Sequence, residues 1–149
     1  MLSATVTCSA MTGGWGDVIV LDASALTEML SGEGGIGEWV LAEMESSDGC
    51  LVAEHTRIEV VHAIRGKLLG RRMTETRAKD SIDLLGILEL ETVPTRHVIS
   101  RVWELRSNIT AYDAAYVAIA EQNRCPLVTT DLKLVGATGP ACEFRTPRS

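Results

Sequence analysis

Two short apolar runs, each followed by an aspartate, constrain this chain more than any other feature. Val18-Ile19-Val20-Leu21 stops at Asp22, and the run from Pro126 to Thr129 stops just short of Asp131. A continuous run of this length, rich in β-branched residues, suits a central strand buried on both faces, as in parallel sheets. Ligands of open parallel sheets bind beyond the carboxyl ends of the strands. Two strands delivering a carboxylate to that edge are more specific than either alone. Taken singly, Asp22 serves equally well as the N-cap of a following helix, and Asp131 as a cap or turn residue.

Helical spacing fills most of the remaining chain. Helices are predicted over residues 23–30, 36–44, 56–69, 74–88, 95–106 and 111–122, and further strands over 50–53, 90–93 and 142–144. Within 56–69, Ile58, Val61, Ile64, Leu68 and Leu69 form the expected core-facing stripe; within 74–88, Ile82, Leu85 and Leu88 do. Strands alternating with helices predict an α/β fold, an α/β/α sandwich around a small, mainly parallel central sheet. A length of 149 residues suits one domain. Residues 1–16 contain no Lys or Arg and no long apolar stretch, which argues against a secretory signal. Residues 1–17 are read as a flexible lead-in and 18–149 as the folded domain.

Two further acids open predicted helices. Glu59 closes Thr56-Arg57-Ile58-Glu59, a capping-box pattern, and Asp113 closes Thr110-Ala111-Tyr112-Asp113, a looser version. A capping carboxylate folds back on its own helix and does no chemistry. Yet in this architecture a helix begins where its strand ended, so both acids can share the edge with Asp22 and Asp131. Four carboxylates gathered there repel one another unless cations lie between them. Oxygen ligands of this kind suit Mg²⁺ or Mn²⁺, and two such ions can clamp the attacking and leaving oxygens of a phosphodiester.

Charge decides against a simple RNA-binding module. The formal net charge is −6, whereas such modules are usually basic. A nuclease whose metal ions bridge carboxylates to phosphate escapes that objection, because bound cations reverse the local sign. Cys8, Cys50, Cys125 and Cys142 form no C-x-x-C pair and read as buried free thiols in a reducing cytosol. No apolar run approaches the roughly 20 residues of a membrane helix. Arg65, Lys67, Arg71 and Arg72 could track phosphates, but a solvated helix end accounts for them more simply. His62 lacks the repeated Glu-x-x-His of a di-iron bundle. Trp39 and Trp103 read as core or interface anchors, and His55 and His97 carry no signal.

Four segments together carry a resemblance. Val20-Leu21-Asp22-Ala23-Ser24-Ala25-Leu26, Arg57-Ile58-Glu59-Val60, Thr110-Ala111-Tyr112-Asp113-Ala114-Ala115-Tyr116-Val117-Ala118 and Leu127-Val128-Thr129-Thr130-Asp131 resemble, in order, the four acidic motifs of PIN domains. The similarity is closest to the VapC toxins of bacterial VapBC toxin–antitoxin pairs. It implies a Mg²⁺- or Mn²⁺-dependent ribonuclease, held inactive by a cognate VapB-type antitoxin and working in the cytoplasm. It implies Asp22, Glu59, Asp113 and Asp131 as the acidic quartet, with Ser24 and Thr129 orienting a carboxylate or a water beside it. A homodimer is expected from the apolar helix faces over 36–44 and 74–88, which exceed what so small a sheet covers. Two other readings stand beside this one. An aspartyl phosphotransfer domain would use Asp22, with Lys133 near Asp131, but the third position of its D-x-D pattern is Ser24 here. A catalytically silent PIN-like module would keep the acids only as caps.

Overall fold

The computed structural model describes residues 17–148. Five strands, β1 (Val18–Leu21), β2 (Gly49–Ala53), β3 (Glu91–Val93), β4 (Leu127–Val128) and β5 (Phe144–Arg145), lie in the order β3-β2-β1-β4-β5. Every neighbouring pair is parallel. The helices are α1 (Ala23–Ser31), α2 (Gly35–Ser46), α3 (Thr56–Leu69), α4 (Glu75–Ile87), α5 (Ile99–Glu104), α6 (Ala111–Asn123) and α7 (Leu132–Val135).

The chain runs outward from β1 to β3, then returns past β1 to β4 and β5. Right-handed crossovers in opposite directions put their helices on opposite faces. Accordingly α1 packs with α2, α3 and α4 in one layer, while α5 packs on α6, and α6 on β1, β2 and β4. This is the α/β/α sandwich that the alternation predicts. The reversal makes the gap between β1 and β4 a topological switch point, where open sheets bind ligands.

Ile19, Val20 and Leu21 are fully buried, as a central strand requires, and β2 is buried along its whole length. In α6 the unbroken stretch Ala114 to Ala120 is buried. Its four alanines let the helix lie close to the sheet while keeping high helix propensity.

The structure departs from expectation in three places. The predicted helix over 95–106 is broken: Thr95–His97 is a 3₁₀ turn, and α5 starts only at Ile99. Glu54 Oε2 accepts from Thr95 N at 3.0 Å and from its hydroxyl at 2.7 Å, and Val98 is buried at non-helical angles, so tertiary anchors interrupt the turn. The stripe on α3 is also different. Thr56, Val60 and Ile64 face the core, whereas Ile58 is 72% exposed and Leu69 63%. The last strand is Phe144–Arg145 rather than 142–144.

Smaller readings also sort themselves. Trp39 packs against the core, but Trp103 is exposed beneath the Arg106 guanidinium. Lys67 is tied to Glu28 at 3.1 Å and is no phosphate track. Cys50 is buried, Cys125 and Cys142 only half so, and Cys8 lies outside the described residues. The expected lead-in also lies outside them save for Asp17, which is held by Arg145 at 3.1 Å and donates its N–H to Asp48 at 2.7 Å.

Candidate active site

The carboxyl ends of β1 and β4 each deliver one expected acid. Asp22 follows Leu21, and its carboxylate is buried and fully engaged. Oδ1 accepts from Ser24 Oγ at 2.6 Å and from Ala25 N at 2.8 Å, and Oδ2 accepts from the Thr129 hydroxyl. Asp22 is therefore the N-cap of α1, and capping and site roles coexist in one side chain. Ser24 and Thr129 sit as expected, on either side of Asp22. Their hydroxyls stand 3.2 Å apart, Ser24 Oγ accepts from Thr130 N at 3.1 Å, and Thr129 Oγ1 from Asp131 N at 3.0 Å. This lattice fastens the end of β1 to the end of β4. Asp131 caps α7 through Oδ1, which accepts from Lys133 N and Leu134 N.

Asp113 and Glu59 arrive on α6 and α3. Thr110 caps α6, accepting from Asp113 N at 3.2 Å. The capping box expected at Glu59 does not form: His55 is the cap residue of α3, makes no side-chain capping bond, and Thr56 is already inside the helix. Glu59 is thus not spent on its own helix. Its Oε1 is buried and accepts no hydrogen bond from the described residues, although His55 Nε2 stands 3.1 Å away.

The charges of these acids act on one another. Burial pushes the Asp22 carboxyl up to about 6, against the hydrogen bonds from Ser24, Thr129 and Ala25, and the negative charge of Asp113 pushes the same way. Asp113 is raised first by burial and then by the charges of Asp131 and Glu59.

His55 was not legible as a site residue. Its ring lies 5.4 Å from Tyr112 and 5.0 Å from Tyr116, centre to centre. Tyr116 is fully buried, and its hydroxyl is pushed well above the usual range by burial and by Glu59 and Asp22. The signal available was position alone: His55 lies one helical turn before Glu59. Tyr112, beside Asp113, is 61% exposed.

The donor chemistry fits a hard divalent cation. The four acids offer oxygens only, the charges of Asp131 and Glu59 bear on Asp113, and the buried Oε1 of Glu59 has His55 Nε2 at 3.1 Å but accepts no hydrogen bond from the described residues. As they stand, no three Asp, Glu, His or Cys side chains among the described residues form a closed set ready to hold a metal.

The family model for the PIN domain matches residues 19–137, spanning every one of these acids. The chain belongs to the PIN-domain family. Within that family it falls among the VapC proteins. It is 35% identical over 136 residues to Ribonuclease VapC1 of Mycobacterium tuberculosis, covering 89% of this chain and 99% of that one. It is 32% identical over 117 residues to VapC ribonuclease Mb0985 of Mycobacterium bovis, covering 78% and 88%. Among solved structures, VapBC2 from Rickettsia felis, bound to a DNA fragment from the promoter, matches with a TM-score of 0.65 at 12% identity, covering 88% of this chain and 99% of that one. At that identity the match shows the fold alone, and it is the PIN fold expected from sequence.

Proposed function

We propose that this PIN domain is a Mg²⁺- or Mn²⁺-dependent endoribonuclease, the toxin of a toxin–antitoxin pair, with Asp22, Glu59, Asp113 and Asp131 as its active site. The observation that carries the reading is that Asp22 and Asp131 follow β1 and β4 at the switch point, while Asp113, raised first by burial, is raised also by the charges of Asp131 and Glu59. The ribonuclease names of the Mycobacterium relatives support it.

When bound, Mg²⁺ or Mn²⁺ supplies Lewis acidity toward the phosphodiester and lowers the pKa of water. Asp22, Asp113 and Asp131 would hold the ion. Ser24 and Thr129 fix both oxygens of Asp22, so its orientation is set before any ion arrives. Glu59, whose Oε1 takes no part in a capping box, would place the attacking water or a second ion. Tyr112 offers an exposed ring beside Asp113 on which a nucleobase can stack. With a net charge of −6, the domain repels RNA in general, so productive binding depends on the cation at this edge.

The partner surface follows from α3 and α4. Ile58, Leu69 and Ile87 are largely exposed, with Val61 and Ile82 at the margin. By contrast Val40 and Met44 of α2 are buried, so less apolar surface remains there than the sequence suggests. An apolar surface of this kind suits a homodimer contact or a VapB-type antitoxin. The Rickettsia relative in its VapBC2 assembly supports such a partner. An antitoxin Arg could pair bidentately with the acids and compete with the metal.

The deciding experiment is cleavage of single-stranded RNA by the purified chain with Mg²⁺ or Mn²⁺ and with excess chelator. Cleavage that stops on chelation supports the reading. Undiminished cleavage in chelator overturns the metal role. Metal binding without cleavage of any RNA indicates the silent module instead.

A further inference from the structure

Cys125 and Cys142 lie just before β4 and β5, at the sheet edge opposite the acids. Leu127 pairs with Phe144, and Val128 with Arg145, in parallel register. The pairing reaches one residue further toward Cys142: Leu127 N donates to Glu143 O at 2.8 Å. Cys125 and Cys142 each stand two residues before the paired Leu127 and Phe144, Cys142 at a bend of the chain, so both thiols lie at the same end of two neighbouring strands. Adjacent strands are about 4.8 Å apart, within the roughly 4.4–6.8 Å of Cα separation that a disulfide spans. Both residues line one cavity of about 450 Å³, and both are free, half-buried thiols.

The segment leading to Cys142 is held in place. Glu121, near the end of α6, accepts from Ala141 N at 2.8 Å. Arg101 fastens Glu121 from behind, through Nε at 2.7 Å and Nη2 at 3.0 Å, and donates to Gly139 O at 2.9 Å. Gly139 has φ of 114°, and a Cβ there would meet Leu105 Cδ2 at 3.0 Å, so the turn needs glycine. Burial pushes both thiols up to about 11, with the Glu121 charge adding at Cys142. At neutral pH they are thiols rather than thiolate metal ligands.

We propose that Cys125 and Cys142 form an intramolecular disulfide on reaction with a low-molecular-weight disulfide that enters this cavity. One cysteine loses its proton to solvent, and the thiolate attacks the small disulfide. Its S–S bond breaks, a mixed disulfide forms, and one small thiolate leaves. The second cysteine, likewise deprotonated, attacks the protein sulfur of the mixed disulfide and expels the second small thiolate. The two small thiolates take up the two protons; the cysteine pair loses two electrons and the small disulfide gains them. The new bond closes a ring that contains Thr129, Asp131 and α7, so it restrains the β4 end of the acidic edge without touching it. The reaction is slow at neutral pH and accelerates as pH rises and thiolate accumulates.

The test uses the full chain carrying Cys8→Ser, with oxidised glutathione as the probe at mildly alkaline pH. The expected product has lost two hydrogens in intact mass, gives a linked Cys125–Cys142 peptide, and melts about 5 °C higher or more than the reduced form. Adding Cys125→Ser or Cys142→Ser should stop the reaction at a mixed disulfide with no rise in Tm. Two stable glutathione adducts on the parent, thiols that stay unlinked after exhaustive oxidation, or a linked product that melts lower would each overturn the proposal. Covalent linkage and melting are independent of RNA cleavage, so failure here and failure of the nuclease reading remain distinct.

Discussion

Helices α3 and α6 start at the same edge of the sheet and each brings one acid to it, but they are built on different terms. From Ala114 to Ala120 every residue of α6 is buried. In α3 only Thr56, Val60 and Ile64 are buried, while Ile58, Val61 and Leu69 face outward. The cap of α6 is a threonine whose hydroxyl accepts a backbone N–H; the cap residue of α3 is His55, which makes no such bond. Asp113 is therefore fixed by a helix locked on three strands, and Glu59 by a helix with one face open. Asp113 thus rides on a helix whose residues are buried without a break from Ala114 to Ala120. The helix with a free apolar face is the one suited to a partner.

The sharpest break in this comparison would come from activity. Asp113→Asn should reduce RNA cleavage on the order of 10³-fold, and Glu59→Gln by roughly 10- to 100-fold, both with unchanged secondary structure by circular dichroism. Equal losses would mean that the two helices contribute equivalent acids. Unfolding of either variant would mean that the carboxylate is structural.

Stability should divide along the same line. Ile119→Ala, in the buried α6, should cost about 2–5 kcal/mol in denaturant unfolding. Ile58→Ala, on the open face of α3, should fall within about 0.5 kcal/mol. A large loss at Ile58 in the isolated protein would place that face in a contact the monomer already makes.

A third measurement tests whether α6 sets the charge state of the edge. The folded Asp22 carboxyl is raised to about 6 from 3.8. Its contribution to stability is therefore fully present below about pH 4 and is lost as pH rises through about 6. In chelator, Asp22→Asn should gain on the wild type across that window, by on the order of 3 kcal/mol at pH 7. The asparagine keeps an acceptor for Ala25 and Ser24 and turns a donor to Thr129. Asp113→Asn should shrink this pH window, because Asp113 is among the causes of the shift. Glu59→Gln should leave it in place. A wild type that gains on Asp22→Asn as pH rises would refute the raised carboxyl.

The smallest expected effect concerns the caps. Thr110→Ala should cost about 1 kcal/mol by thermal melting, the usual value for a lost N-cap. His55→Ala should cost no capping energy, since no capping bond exists there. A comparable loss at both would erase the contrast between the two helix starts.

The sequence alone determined the architecture and the order of the acids. Alternating strand and helix patterns, and apolar runs that end at Asp22 and before Asp131, are local features written in consecutive residues. They lead directly to a parallel sheet with carboxylates on one edge. Family resemblance lay in the same short segments, and the match over residues 19–137 follows them. Tertiary structure decided which of those local signals took effect. A capping box is legible at Thr56–Glu59, but the start of α3 at His55 freed Glu59 from it. A stripe is legible from Ile58 to Leu69, but periodicity does not say which side a neighbour will cover, and α1 and α4 took the Val60–Ile64 side. A helix is legible over 95–106, yet Glu54, forty-one residues earlier, holds Thr95 and breaks it. The proximity of His55 to Tyr112 and Tyr116, and of Cys125 to Cys142, depends on strand register and helix docking. Such contacts join residues far apart in the chain, and no window along the sequence contains both partners.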